Sequence, residues 1–355
     1  MNAPLTLITG GAGFVGTNLA KRLLARGQPV RILDSLARAG SERNLDWLAE
    51  HCGDALEFVR ADVRDYAAVA QAMDGVAHVV HLAAQVAVTS SLLDPRSDFE
   101  VNALGTLNVL EAARACRQPP TLLFTSTNKV YGALPDISLQ ADGGRYLPDP
   151  PLREHGIAED RPLDFHSPYG CSKGSGDQYV LDYARSFCLN TVVLRMSCIY
   201  GPHQNGNEDQ GWVAHFMRCA LENRAITIYG DGMQVRDLLF VEDLVDAFEL
   251  ARARIDTIAG RAFNIGGGPL NAVGVLELLD LIEQLTHTDL RVTFDEWRVG
   301  DQRYYVSDTR RFGSATGWSA QTGVREGLAA LRDWLQQTGP ARELHVPRAS
   351  LAVHS

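Results

Sequence analysis

Leu5-Thr6-Leu7-Ile8-Thr9-Gly10-Gly11-Ala12-Gly13-Phe14-Val15-Gly16 decides the fold. The run up to Thr9 reads as a short buried strand, and Phe14, Val15, Leu19, Leu23 and Leu24 then recur at helical spacing. Strand, glycine turn and helix follow one another without a gap. Gly10 permits the tight turn, Gly13 lets backbone N–H groups approach a pyrophosphate, and Gly16 lets helix and sheet pack closely. The next apolar run, Val30 to Leu33, ends in Asp34. An acidic side chain there accepts hydroxyls of an adenosine ribose and repels a 2′-phosphate, so the pattern predicts NAD rather than NADP. Arg38 stands close enough to soften that preference.

Outward from this unit the alternation continues. Strand-like runs at Leu56–Arg60, Val76–Leu82, Thr121–Phe124 and Asn190–Leu194 are separated by helical patterns near 65–73, 95–116 and 168–187. Such βα repetition specifies an α/β fold: a doubly wound parallel sheet with ligands at the carboxyl ends of its strands. Asp34, Asp62, Leu82-Ala83-Ala84, Thr127 and Ser197 fall at strand ends. Asp62-Val63 is the candidate for the adenine, with a helix N-cap as the competing role for Asp62. Residues 133–167 form an irregular stretch long enough for a functional flap. Beyond 197 the alternation decays; Gly230-Asp231-Gly232 reads as a hairpin-like turn, and 272–286 as an amphipathic helix. The expected division is a dinucleotide-binding domain at 1–196 with a return segment near 236–265. A smaller substrate domain takes 197–235 and 266–340, and 341–355 reads as a mobile tail.

The chain has 355 residues, 45% of them hydrophobic, with a formal net charge of −10, which disfavours nucleic acid as a main partner. No stretch approaches the ~20 apolar residues of a membrane span, and the first strand begins too early to leave room for a signal peptide. The six cysteines show no paired spacing and read as buried free thiols of a cytoplasmic protein. The ten histidines form no ligand-spaced cluster, so no metal is expected.

Tyr169-Gly170-Cys171-Ser172-Lys173 carries the chemistry. Tyr and Lys four apart on a helix share one face. A free tyrosine titrates near pH ~10. A lysine ammonium one turn away, with a cationic nicotinamide, would favour the phenolate and make it a base. Thr127, closing an apolar run, adds a hydroxyl.

These positions, with Asn102 and Arg236-Asp237, resemble the extended short-chain dehydrogenase/reductase family along nearly the whole chain. The resemblance implies that Tyr169 is the base, that Lys173 binds the nicotinamide ribose and that Thr127 holds the reacting sugar hydroxyl. Asn102 has a secondary cofactor role or a structural one. Sugar 4,6-dehydratases of the family carry an Asp-Glu pair after that threonine, whereas Asn128 and Lys129 stand here, so elimination is not expected. Three segments, Ser126–Gly132, Leu163–Gly174 and Asp209-Gln210-Gly211-Trp212-Val213, look like the CDP-paratose 2-epimerase branch. That likeness implies NAD-dependent epimerisation at C2 of a CDP-linked sugar through a 2-keto intermediate, in a homodimer joined by the helices near 95–116 and 168–187, with Tyr179 and Tyr183 exposed. Asn128, His166, Ser197, Gln210, Trp212, Arg236 and Arg298 become the candidate substrate contacts, the two arginines as diphosphate ligands. A nucleotide-sugar 4-epimerase and a catalytically silent NAD-responsive binding protein are the alternatives.

Overall fold

Strand and helix alternate from the first residues onward, and in the computed structural model the strands lie side by side. The structure describes residues 3–53, 55–298 and 300–339, so the 341–355 segment expected to be mobile lies outside the described residues. β1 (Leu5–Thr9), β2 (Val30–Asp34), β3 (Leu56–Arg60), β4 (Val76–His81) and β5 (Thr121–Thr127) precede a hairpin of β6 (Leu139–Asp142) and β7 (Arg145–Pro148). β8 (Thr191–Met196), β9 (Cys198–Tyr200), β10 (Ile226–Tyr229), β11 (Val235–Phe240), β12 (Arg261–Ile265), β13 (Ala272–Gly274), β14 (Val292–Asp295) and β15 (Tyr304–Tyr305) follow. Seven of these form one parallel sheet in the order β12-β8-β5-β4-β1-β2-β3. The order reverses between β1 and β4, and the crevice beyond their carboxyl ends is where such sheets bind ligands.

Both faces of the sheet are covered, which is why its strands read as continuous apolar runs. Successive side chains point to opposite faces. Ile8 and Ile32 join one core with Leu19 and Leu23 of helix Phe14–Ala25 and Leu244 and Phe248 of helix Val241–Ala253. Leu7 and Leu33 join the other with Val109 of helix Gly105–Ala115 and Val180 of helix Ser167–Phe187. Glycine is required twice in the turn. At Gly10 φ is +69° and a Cβ would stand 2.7 Å from the Ala83 nitrogen; at Gly16 it would stand 2.5 Å from Gly11 Cα.

A second lobe packs helices Trp212–Leu221, Val275–Thr286 and Val324–Thr338 around β10 and β11. Here three expectations need correction. Gly230 and Gly232 do adopt positive φ, but no hairpin forms: β10 pairs with β14, while β11 pairs with β9, β13 and β15. For the same reason β11 stays outside the seven-stranded sheet, while helices Val241–Ala253 and Ile255–Ile258 pack on it and β12 joins it. The cysteines are free but not uniformly buried: Cys219 is buried, whereas Cys171 and Cys188 are exposed. Cys188 sits at a left-handed helix end, φ 55°, where the chain turns at the surface.

His81 closes β4 inside the core, 1% exposed, its Nδ1 2.6 Å from the Thr9 hydroxyl and its Nε2 3.1 Å from that of Thr106. Burial pulls its pKa from 6.5 down to about 3, with the Lys173 charge acting in the same direction. The unfolded chain therefore binds a proton that the folded chain refuses, and stability falls as pH drops from 6.5 toward 3. Between about pH 7 and about pH 4 this group costs about 3 kcal/mol. Urea unfolding of His81→Gln at both pH values should show a smaller acid loss than wild type by that amount; equal losses would contradict the assignment.

Candidate active site

β5 ends at Thr127, the long helix Ser167–Phe187 crosses its carboxyl end, and this crossing brings the chemistry together. Tyr169 is 8% and Lys173 3% exposed. The Thr127 hydroxyl lies near enough to the Tyr169 phenol to lower its pKa. Thr127 Oγ1 also accepts from the Lys129 amide at 3.2 Å and donates to Asn128 Oδ1 at 3.3 Å. Lys173 Nζ donates to the Thr125 carbonyl at 2.6 Å and lies 4.3 Å from the centre of the Phe124 ring.

The electrostatics differ from the expectation of a phenol lowered by its lysine. Burial pushes Tyr169 up to about 12, opposed by the Thr127 hydrogen bond and helped by the Asp98 charge. Burial pulls Lys173 down to about 7, against Asp177 and Asp98. With protein groups alone desolvation wins over proximity.

Asn102 lies in a π turn, Glu100–Leu104, that interrupts the expected 95–116 helix. Its Nδ2 donates to Asp98, Ser172 and the Gln85 carbonyl, and its Oδ1 accepts from the Gln85 amide at 2.9 Å. It joins the loop after β4 to the Tyr169 helix. Sequence reading missed Asp98 and Ser172, which complete this knot; Asp98 four residues before Asn102 was the available signal.

At the glycine turn, Asp34 Oδ2 accepts from the Ala12 amide at 3.0 Å and Oδ1 from the Leu36 amide at 2.8 Å. Burial raises its pKa while both bonds lower it. Leu82, Ala83 and Ala84 run against this turn, with amides of Leu82 and Ala83 donating to Thr9. Gly13, Phe14 and Arg38 line one cavity beside it, at the N-terminal end of helix Phe14–Ala25, and Val15 packs at the edge of the adjoining core. Asp62 binds Arg64, whose guanidinium holds its carboxyl below the ordinary range, and it is Asp65 that caps the next helix. The Val63 side chain is 4% exposed in the core, and a Cβ on Gly105 would stand 2.7 Å from it. The glycine turn, the buried carboxylate at the end of β2 and the helix N-terminus suit a dinucleotide: backbone amides for the pyrophosphate and Asp34 for a ribose.

Several of the expected substrate contacts gather in one region: Trp212 and Arg236 lie near Cys198, and Asn128 lies beside the Asp301 corner through Gln302. Asn128 Nδ2 donates to Gln302 Oε1 at 3.4 Å, and Lys129 Nζ donates to Gly300 O at 3.2 Å and lies 3.5 Å from Asp301. Arg236 binds the same Asp301 carboxylate at 2.7 Å, so two cations share one anion. Ser197 donates to the buried Asp237. The Trp212 indole lies near Cys198 and meets Phe216 edge-on. Arg298 stacks 3.8 Å over the Tyr229 ring and donates to the Glu208 carbonyl. His166 is half-exposed and pairs with Asp164 at 2.9 Å. Gln210, expected beside the sugar nucleotide, lies in the cavity at the glycine turn, because its loop folds back over the first lobe. Among the described residues no cluster of three or more His, Cys, Asp or Glu could hold a metal, and no helix is long and apolar enough to cross a membrane.

Residues 6–266 match the NAD dependent epimerase/dehydratase family. The chain is 43% identical over 336 residues to a CDP-paratose 2-epimerase of Salmonella typhi, covering 92% of this chain and 98% of that one. It is 34% identical over 325 residues to a UDP-glucose 4-epimerase of Mycolicibacterium smegmatis, covering 91% and 96%. The crystal structure of a Thermus thermophilus UDP-glucose 4-epimerase with NAD superimposes with a TM-score of 0.77 at 33% identity, covering 93% of this chain and 98% of that one. The chain belongs to the NAD dependent epimerase/dehydratase family, within the extended short-chain dehydrogenases/reductases, as an NAD-dependent nucleotide-sugar epimerase.

Proposed function

We propose that this enzyme inverts C2 of a CDP-linked hexose or 3,6-dideoxyhexose, in the manner of CDP-paratose to CDP-tyvelose. The observation that carries this reading is the likeness to the Salmonella CDP-paratose 2-epimerase along nearly the whole of both chains. The geometry supports it. The two positions after Thr127 hold an amide and an ammonium, and the nearby Asp301 carboxylate is engaged by Lys129 and Arg236. Among the described residues that corner shows no carboxylate free to remove a proton from carbon, which disfavours elimination.

NAD held by the glycine turn and Asp34 would supply the hydride acceptor and donor for the sugar carbon. Tyr169 takes the proton of the reacting hydroxyl and returns it once the keto sugar has turned about its diphosphate bonds. Thr127, 7% exposed, holds the same oxygen on both passes. The positive charges of Lys173 and of a bound nicotinamide would favour the Tyr169 phenolate, against the burial that holds the phenol near 12. Thr127→Val keeps the shape and removes one positioned hydrogen bond, so the barrier should rise by about 2–4 kcal/mol. Unchanged kcat would remove Thr127 from the mechanism. Incubation with CDP- and UDP-sugars, followed by product NMR, tests the whole reading. Inversion at C2 of a CDP-sugar supports it; inversion at C4 of a UDP-sugar contradicts it.

We also infer a homodimer. Leu92, Leu93, Phe99, Leu104, Tyr179 and Phe187 stand exposed along adjoining helices, a patch that a second copy of the same face would cover. Tyr183, expected to join them, is instead buried and donates to Glu111 at 2.6 Å. Sedimentation at micromolar protein should show a dimer; a monomer alone would contradict this.

A further inference from the structure

The cavity at the glycine turn is closed from the far side of the chain. Gly13, Phe14 and Arg38 form one wall, and Gln204, Asn205 and Gln210, from the loop after β9, form the other. That loop is tied down on both flanks of the turn. Asn44 Nδ2 donates to the carbonyls of Ala12 and His203, each at 3.2 Å, and Asn18 Nδ2 donates to those of Phe14 and Pro202, each at 2.9 Å. Arg43 reaches across to Asn205 Oδ1 at 3.0 Å.

Two of the side chains lining this cavity carry buried acceptors without a partner. Gln204 is 8% exposed and its Nε2 is committed to the Ile199 carbonyl at 3.1 Å, which fixes the amide's orientation and leaves Oε1 unpaired. Gln210 Oε1 is likewise buried without a donor. Unpaired buried acceptors are costly unless a ligand or water supplies the donors. Of the two ends of the crevice, this is the one bounded by the helix N-terminus and by the loop leaving Asp34, where a dinucleotide offers ribose hydroxyls as donors.

We propose that the 203–210 loop is a clasp on the cofactor, in which the Gln204 and Gln210 carbonyl oxygens accept ribose hydroxyls of NAD. Release of the cofactor then requires this loop to lift. An enzyme that must return the hydrogen it has removed gains from such a clasp, because the cofactor stays in place between the two half-reactions. The inference rests on NAD binding and not on which sugar is turned over.

NAD retention reads it out directly. Purified wild type and Gln210→Leu are dialysed, and the NAD remaining is measured by chromatography after denaturation. Gln210→Leu should lose NAD about tenfold faster, and Gln204→Met with Gln210→Leu about a hundredfold faster, as expected for one lost hydrogen bond each. Cofactor-free melting of each variant checks the fold. Should the double variant fail to fold, Arg43→Ala, which cuts the tether at the exposed side, should still hasten NAD loss severalfold. Release rates within twofold of wild type in the folded variants would overturn the clasp. So would weaker CDP binding by Gln210→Leu with NAD retention unchanged, which would return Gln210 to the sugar nucleotide.

Discussion

Tyr169→Phe should lower kcat about a thousandfold while the protein keeps its NAD, since only the oxygen that carries the proton is lost. The ring remains to fill its place, 8% exposed between β5 and its own helix, so folding and cofactor content should match wild type. Cofactor content, melting temperature and single-turnover rate, taken together, separate a lost proton carrier from a disturbed site. A variant within tenfold of wild type would mean that another group carries the proton. The sign of the pH dependence follows from the same residues. Activity needs the phenolate, so it should fall as pH drops below the value at which bound substrate and cofactor hold Tyr169 ionised. Lys173, pulled to about 7 by burial, gains its proton in that same direction, so its charge cannot account for the acid loss.

The largest effect on stability should come from Asp177→Asn. Asp177 is fully buried on the Tyr169 helix and receives Nε and a terminal nitrogen of Arg195 on β8 at 2.9 and 3.0 Å. Arg195 also donates to the Tyr131 hydroxyl at 3.1 Å, and Tyr131 donates to Asn264 on β12 at 2.7 Å. One carboxylate thus anchors the catalytic helix to two neighbouring strands. Removing its charge strands a guanidinium in the core, and breaking such a pair costs about 3–5 kcal/mol. The half-exposed Lys21–Glu242 pair should cost less than about 1 kcal/mol when broken. Denaturant unfolding of both variants checks the contrast; equal losses would show that the buried pair is not special. Asp177 also raises the Lys173 pKa, so its loss should lower that group further.

The first half of the fold was legible because glycine turn, apolar runs and helical spacing are local signals. Gly10 to Gly16 with Asp34, and Tyr169 with Lys173 four residues on, are patterns within one or two turns of chain. Strand order is not local: β12 lies beside β8 and β8 beside β5 through contacts that no spacing announces. β9, β13 and β15 have two or three residues each, too few for a period to register, so the second lobe read as irregular. In the site, Thr127 could be placed from its strand end, whereas in the Asp98–Asn102–Ser172 knot the spacing of Asp98 and Asn102 was the one local cue and the link to Ser172, seventy residues on, had none. Gln210 stood out by its unusual segment, and the folded path of its loop also sets it in the cavity beside Gly13.

Deuterium oxide offers the most direct test of an internal redox route. A hydrogen that leaves C2 and is held within the closed site returns without meeting water, whereas deprotonation at carbon exchanges it with solvent. Turnover of a CDP-sugar in deuterated water, followed by mass spectrometry and NMR of the product, distinguishes the two. The expected product carries its original hydrogen at C2 and no deuterium on carbon. Deuterium at C2 would contradict the mechanism.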